Sequence, residues 1–255
     1  MIYLRPVAGL CNRLRAINSA IALARDTCQP LHVYWRIDQE MNTCFRRLFN
    51  VPEDFVLNDA GRESFAARLF YSRYNFVCRN FGSVQKWNCK KIAKVGRPWV
   101  ITSFAPFYDG MSVGYDWLRP IDAIQLKINA FRREYGRDVI AMHIRRTDNE
   151  MSRKLSPLSL FEKKIKDHLS DNSRQRFFIA SDDNSVKDSL RKQFGTAIVT
   201  RDHVARREDA NGVEDAVVDL FLLAGCSRLY GSGWSSFSEV AAQIGHIPYL
   251  ALTIK

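Results

Sequence analysis

Residues 138–149 read Asp138-Val139-Ile140-Ala141-Met142-His143-Ile144-Arg145-Arg146-Thr147-Asp148-Asn149, an apolar run that breaks into two adjacent arginines and a carboxylate. The run predicts a buried strand over 138–144. Arginines at the carboxyl end of such a strand project into the crevice where open α/β sheets bind ligands. Two guanidinium groups there suit a phosphate, which they grip through paired, charge-assisted hydrogen bonds. The alternative is an Arg–Asp pair that caps a strand and holds no ligand.

Two more segments repeat the pattern. Phe177-Phe178-Ile179-Ala180-Ser181-Asp182-Asp183-Asn184 is an apolar strand that ends in polar residues. Arg228-Leu229-Tyr230-Gly231-Ser232-Gly233-Trp234-Ser235-Ser236-Phe237 is another, running into a Gly/Ser loop and a helix. A parallel sheet gathers these polar clusters on one rim. The elements between them alternate: helix 121–135, strand 138–144, helix 157–170, strand 176–181, helix 184–194, strand 196–199, helix 213–225, strand 228–231, helix 235–244 and strand 247–252. That is a doubly wound α/β pattern.

The N-terminal half opens with a strand over Ile2–Val7, a Gly9 loop, a helix over Arg13–Asp26 and a strand over Leu31–Trp35. This βαβ unit favours a parallel sheet. The loop lacks the GxGxxG and GxxxxGK[ST] patterns, so neither a dinucleotide nor a P-loop fingerprint is present. A helix start beside a glycine still offers free N–H groups to an anion. Residues 36–97 resist assignment. Within 62–97, Arg62, Arg68, Arg73, Arg79, Lys86, Lys90, Lys91, Lys94 and Arg97 interleave with aromatic residues. Single-stranded nucleic acid sites use that interleaving, and so do sugar-binding clefts; an amphipathic region with its aromatics in the core looks the same. Trp99–Phe104 reads as a further strand. Leu118-Arg119-Pro120 marks a boundary between domains 1–118 and 119–255.

The chain has 255 residues, 46% apolar and 25% charged, ordinary for a globular protein with a substantial core. The six cysteines form no Cys-x-x-Cys pair, which argues against a zinc cluster. The net charge is +11 and uneven: residues 1–120 hold 17 Lys/Arg against 9 Asp/Glu, and residues 121–255 hold 21 against 18. The bias suggests an anionic partner. No apolar run is long enough to span a bilayer. The N-terminus reads as a strand rather than a signal peptide, so a cytoplasmic protein is the expectation.

His143-Ile-Arg-Arg-Thr-Asp148, then Ala180-Ser-Asp-Asp183, then Asp219 followed by Ser235-Ser236-Phe237, resembles the three-motif signature of the α1,6-fucosyltransferases. These belong to a wider superfamily with α1,2- and protein O-fucosyltransferases. The Gly9-Leu10-Cys11-Asn12-Arg13-Leu14 loop resembles that family's first strand–loop–helix. The resemblance implies a GT-B-like α/β fold, two Rossmann-like domains with a cleft between them, the N-terminal one on the acceptor side and the C-terminal one binding the donor. It implies an inverting, metal-independent transfer, with GDP-fucose as donor substrate, no cofactor and a glycan as acceptor; the basic N-terminal half suits an anionic one.

By the same resemblance, Arg145 and Arg146 hold the donor diphosphate and stabilise the leaving group. His143 lies near base and ribose. Asp148 orients an arginine, Asp182 and Asp183 lie in the sugar-and-ribose region, and Asp219 reads guanine. Ser235 and Ser236 cap a helix or donate to phosphate, while Gly9 and Asn12 approach the diphosphate. A helix N-cap is the other reading of Asp182-Asp183, and a solvated helix residue that of Asp219. The animal enzymes carry a catalytic glutamate several residues after the arginines. Here Ser152 or Arg153 takes that slot, Glu150 is the nearby carboxylate, and loss of the acceptor proton late, without a base, is the alternative. Competing functions are the same fold with another nucleotide sugar, a basic nucleic-acid-binding surface at 62–97, and a sugar-binding module without catalysis.

Overall fold

A computed structural model describes residues 1–60, 75–78, 99–108, 110, 113–135, 138–147, 150–202 and 209–254. Asp148 and, apart from 75–78, the basic-aromatic stretch 62–97 lie outside the described residues. The chain divides into two units, 1–121 with 207–213 and 122–206 with 214–255.

The first unit contains β1 (Ile2–Pro6), α1 (Leu10–Thr27), β2 (Leu31–Arg36), β3 (Val56–Ala60), β4 (Asn75–Cys78) and β5 (Trp99–Ser103). Its strands lie in the order β3-β2-β1-β5-β4, every pair parallel. The second unit contains α2 (Asp122–Tyr135), β6 (Ile140–Ile144), α3 (Glu150–Leu155), α4 (Leu158–Asp171), β7 (Phe177–Ser181), α5 (Asn184–Phe194), β8 (Ile198–Val199), α6 (Ala210–Ala224), β9 (Arg228–Ser232), α7 (Ser236–Gly245) and β10 (Tyr249–Leu252). Its sheet runs β10-β9-β6-β7-β8, again all parallel. In both sheets the first strand is central and the order reverses beside it. This is the doubly wound plan, and the reversal places a crevice at the carboxyl ends of β6 and β9.

Burial explains the central strands. All five residues of β6 are buried, as are all five of β7, which suits strands covered on both faces. Ile140, Met142 and Ile144 pack on one face with Phe161, Ile165, Phe177, Ile179 and Leu190. Because side chains alternate along a strand, Ala141 and His143 look to the opposite face, where His143 meets α7.

Most predicted elements form within about three residues of their expected ends, the usual scatter at termini. Three differ. Strand 196–199 is reduced to 198–199 because Gly195–Ala197 turn as a 3-10 segment, with Gly195 at a φ of 56°. Helix α3 was not expected, and β3 and β4 arise within the stretch that resisted assignment. No helix among the described residues is long and apolar enough to cross a membrane.

The loop after β1 is held by Arg13, which is 0% exposed. Its Nε donates to the Ala8 carbonyl at 2.7 Å, Nη1 to the Arg36 carbonyl, and Nη2 to both Asp38 carboxylate oxygens at 2.8 Å. The guanidinium also lies 5.0 Å over the Trp35 ring. Ala8 itself sits at a φ of 68°, a left-handed conformation that costs a residue with a Cβ and needs such anchoring. Replacing Arg13 with Met removes the buried counter-charge of Asp38, which keeps the Glu40 and Met41 N–H groups, and takes the guanidinium donor from two carbonyls. We expect this to lower stability by about 3 kcal/mol, read from the urea midpoint.

Candidate functional site

The site is built at the carboxyl ends of β6, β7 and β9. A serine ends each flanking strand and ties it to the centre. Ser181 Oγ donates to the Ile144 carbonyl at 2.7 Å. Ser232 Oγ accepts from the Arg145 backbone N–H at 3.0 Å. Just beyond β7, Asp182 collects the turn after β6. Its carboxylate accepts from the backbone N–H of Arg146 (2.7 Å) and of Thr147 (3.2 Å), and from the Thr147 hydroxyl (2.8 Å). It also pairs with the Arg145 guanidinium at 3.1 Å.

Burial alone would raise the Asp182 pKa. Arg145, the Thr147 hydroxyl and the two N–H groups more than offset it, so the carboxyl is held below its ordinary value. Arg146 is fixed from the other side: Nη1 donates to the Ser156 carbonyl at 2.9 Å. Its Nη2 is buried and has no hydrogen-bond partner among the described residues. A buried donor of this kind is costly unless something accepts from it.

The loop after β9 is clamped by buried serines. The Gly233 N–H donates to Ser156 Oγ at 2.8 Å, and Ser152 Oγ donates to the Gly233 carbonyl at 2.9 Å. Ser156 therefore serves both the Arg146 side chain and the β9 loop. Ser235 is the N-cap of α7 but makes no side-chain capping bond; its hydroxyl lies 3.3 Å from His143 Nδ1 instead. Ser236 is the first residue of α7 and is partly buried. Burial pushes the His143 pKa down to about 4, with Arg145 adding and Asp182 and Asp219 opposing, so the ring is neutral at pH 7.

The other expected residues fall as follows. Asp183 caps α5, accepting from Ser185 N–H at 2.9 Å and its hydroxyl at 2.6 Å. The two adjacent aspartates thus divide the readings: Asp183 is the cap and Asp182 faces the arginines. Asp219 is 5% exposed, not solvated, and pairs with Arg201 at 3.0 Å. Arg201 also pairs with Asp215 at 2.7 Å. Glu150 opens α3, exposed and paired with Lys154 at 2.7 Å. Gly9 and Asn12 lie in the first unit, Gly9 as the N-cap of α1 and Asn12 accepting from Arg15 at 3.1 Å. Among the described residues no group of three or more His, Cys, Asp or Glu side chains is placed to hold a metal ion.

The sequence reading missed Thr147, Ser152, Ser156, Ser232 and Ser238. The signal for Ser232 was present, since it ends a strand before a glycine, just as Ser181 ends one before Asp182. Asp182→Asn should lower stability at pH 7 by about 3 kcal/mol, because the amide presents N–H groups to donors. The folded pKa is depressed, so the stabilisation is full above the unfolded value of about 3.9 and disappears as pH falls through the folded one. Chemical denaturation across pH should show the two proteins converging below about pH 4.

No family model and no curated protein matches the sequence. Solved structures do. NodZ alpha-1,6-fucosyltransferase soaked with GDP-fucose matches at a TM-score of 0.64 and 16% identity, over 98% of this chain and 94% of that one. Fucosyltransferase NodZ from Bradyrhizobium matches at 0.63 and 16%, with the same coverage. POFUT1 in complex with GDP-fucose matches at 0.60 and 12%, over 100% of this chain and 98% of that one. Identities this low speak for fold alone, and the chain has the Rossmann-like α/β fold, of GT-B type, that these fucosyltransferases share.

Proposed function

We propose that the protein is an inverting, metal-independent glycosyltransferase that moves fucose from GDP-fucose to a glycan. The observation that carries this reading is the Arg145–Arg146 turn, held at the reversal of strand order by Asp182 and Ser156, with Arg146 Nη2 buried and without a partner among the described residues. Both arginines are partly exposed, and a diphosphate oxygen supplies the acceptor that Nη2 lacks once the guanidinium turns out of its cover. In the reaction, an acceptor hydroxyl attacks the anomeric carbon opposite the diphosphate. The bond from that carbon to the phosphate oxygen breaks, and GDP leaves with the electron pair. Its charge grows along the way, so preplaced guanidiniums favour the transition state over the ground state.

The C-terminal unit is then the donor side and the N-terminal unit the acceptor side. Asp219, buried and oriented by Arg201, is assigned to the N1–H and N2–H₂ donors of guanine. Ser235 and Ser236 are assigned to the diphosphate from the start of α7. Glu150 is assigned to receive the acceptor proton; Glu150→Gln should then cut turnover while leaving donor affinity unchanged. Titration calorimetry with GDP, UDP and ADP in EDTA tests the donor reading. GDP should bind selectively, and Arg146→Ala should weaken it by about 100-fold, since a hydrogen bond to a charged group contributes about 1.5–3 kcal/mol. Equal binding of all three nucleotides, with affinity that collapses as salt rises, would instead indicate a general polyanion surface.

A further inference from the structure

His143 is surrounded by hydroxyl groups that all bear on one of its ring nitrogens. Nδ1 lies 2.8 Å from Ser238 Oγ and 3.3 Å from Ser235 Oγ. Phe237, between those serines, stacks on the imidazole with ring centroids 4.8 Å apart and planes 29° apart. His143 is 5% exposed and Ser238 is 0% exposed. The close approach of α7 depends on Gly231, which stands opposite His143 in the parallel register of β6 and β9. A Cβ at Gly231 would lie 2.3 Å from Ser238 Oγ.

The direction of the hydrogen bonds follows from which groups hold protons. The neutral imidazole holds one proton for its two ring nitrogens, whereas each serine hydroxyl carries a proton of its own. The serine proton is then free to go to His143 Nδ1. Ser235 approaches the same nitrogen, and the Nδ1 lone pair accepts from the two converging hydroxyls. An imidazole that accepts at Nδ1 carries its single proton on Nε2.

We propose that Ser238, with Ser235 beside it, is a positioning residue that fixes His143 as the neutral Nε2–H tautomer, which presents a hydrogen-bond donor to an oxygen of the bound nucleotide. In this state His143 is neither a cation for the diphosphate nor a base at Nε2. The ligand in this assignment rests on the nucleotide reading above, whereas the tautomer does not.

The test is a two-bond nitrogen–proton spectrum of the full chain with labelled histidine at pH 7. The chain holds five histidines, and the signals missing from His143→Gln assign His143. The expected pattern is a bare Nδ1 and a protonated Nε2. Ser238→Ala should populate the Nδ1–H form, and GDP affinity should fall about tenfold in the same variant, the scale of one buried hydrogen bond. A protonated Nδ1 in the wild-type protein overturns the proposal without recourse to any variant. So does a folded Ser238→Ala protein whose His143 tautomer is unchanged. The expected tautomers in a protein that binds no GDP would uphold the positioning role of Ser238 and count against the nucleotide reading alone.

Discussion

The carboxylate of Asp182 is the point on which the rest of the site depends. One side chain from the end of β7 accepts from two backbone N–H groups, a hydroxyl and a guanidinium, all belonging to the three residues that follow β6. Without it the Arg145–Thr147 turn keeps the Ser232 contact at Arg145 and the Ser156 contact at Arg146. The carboxylate directs the Arg145 side chain while Ser156 holds that of Arg146, and on the proposed reading such fixed cations are the preorganisation that makes electrostatic stabilisation effective. The serines at 152, 156, 181 and 232 extend the same logic outward. They tie β7 and the β9 loop to that turn through short hydrogen bonds in a buried setting.

The first unit uses a related device with the charges exchanged. There a buried arginine, Arg13, holds the loop after the central strand by its carbonyls and borrows Asp38 as counter-charge. In the second unit a carboxylate holds the loop by its N–H groups. The difference follows from what each loop offers. The loop at Ala8 offers a carbonyl to a donor, and the turn at Arg146 offers amides to an acceptor.

Much of this was legible in the sequence because it rests on local pattern. The continuous apolar runs at 140–144 and 177–181 announce buried parallel strands, and Arg145, Arg146 and Asp182 stand immediately after them. What could not be read depends on distance. Nothing in the order of residues says that Ser156, at the end of α3, closes on both Arg146 and Gly233, or that Ser238 reaches His143 across a separation of 95 residues. Asp182 and Asp183 were equivalent as letters, and backbone direction separates them: one points back at the preceding strand's turn, the other forward to cap the next helix. The β3 strand escaped because Val56-Leu57-Asn58-Asp59-Ala60 neither alternates nor forms a continuous apolar run, and β4 because its segment mixes aromatic and basic residues without a clean period.

The placement of β6 carries a consequence for how the chain reaches its fold. Ile140 pairs on one side with Phe177 and on the other with Arg228, partners 37 and 88 residues further along. During synthesis the strand Ile140–Ile144 therefore emerges with its β9 edge bare, and that edge stays unpaired until most of the second unit has been made. An apolar strand with an open edge is a template for pairing with other chains, and parallel sheets with distant partners are slow to close. The strand order that creates a ligand crevice thus also creates an interval in which the nascent protein is open to misassembly.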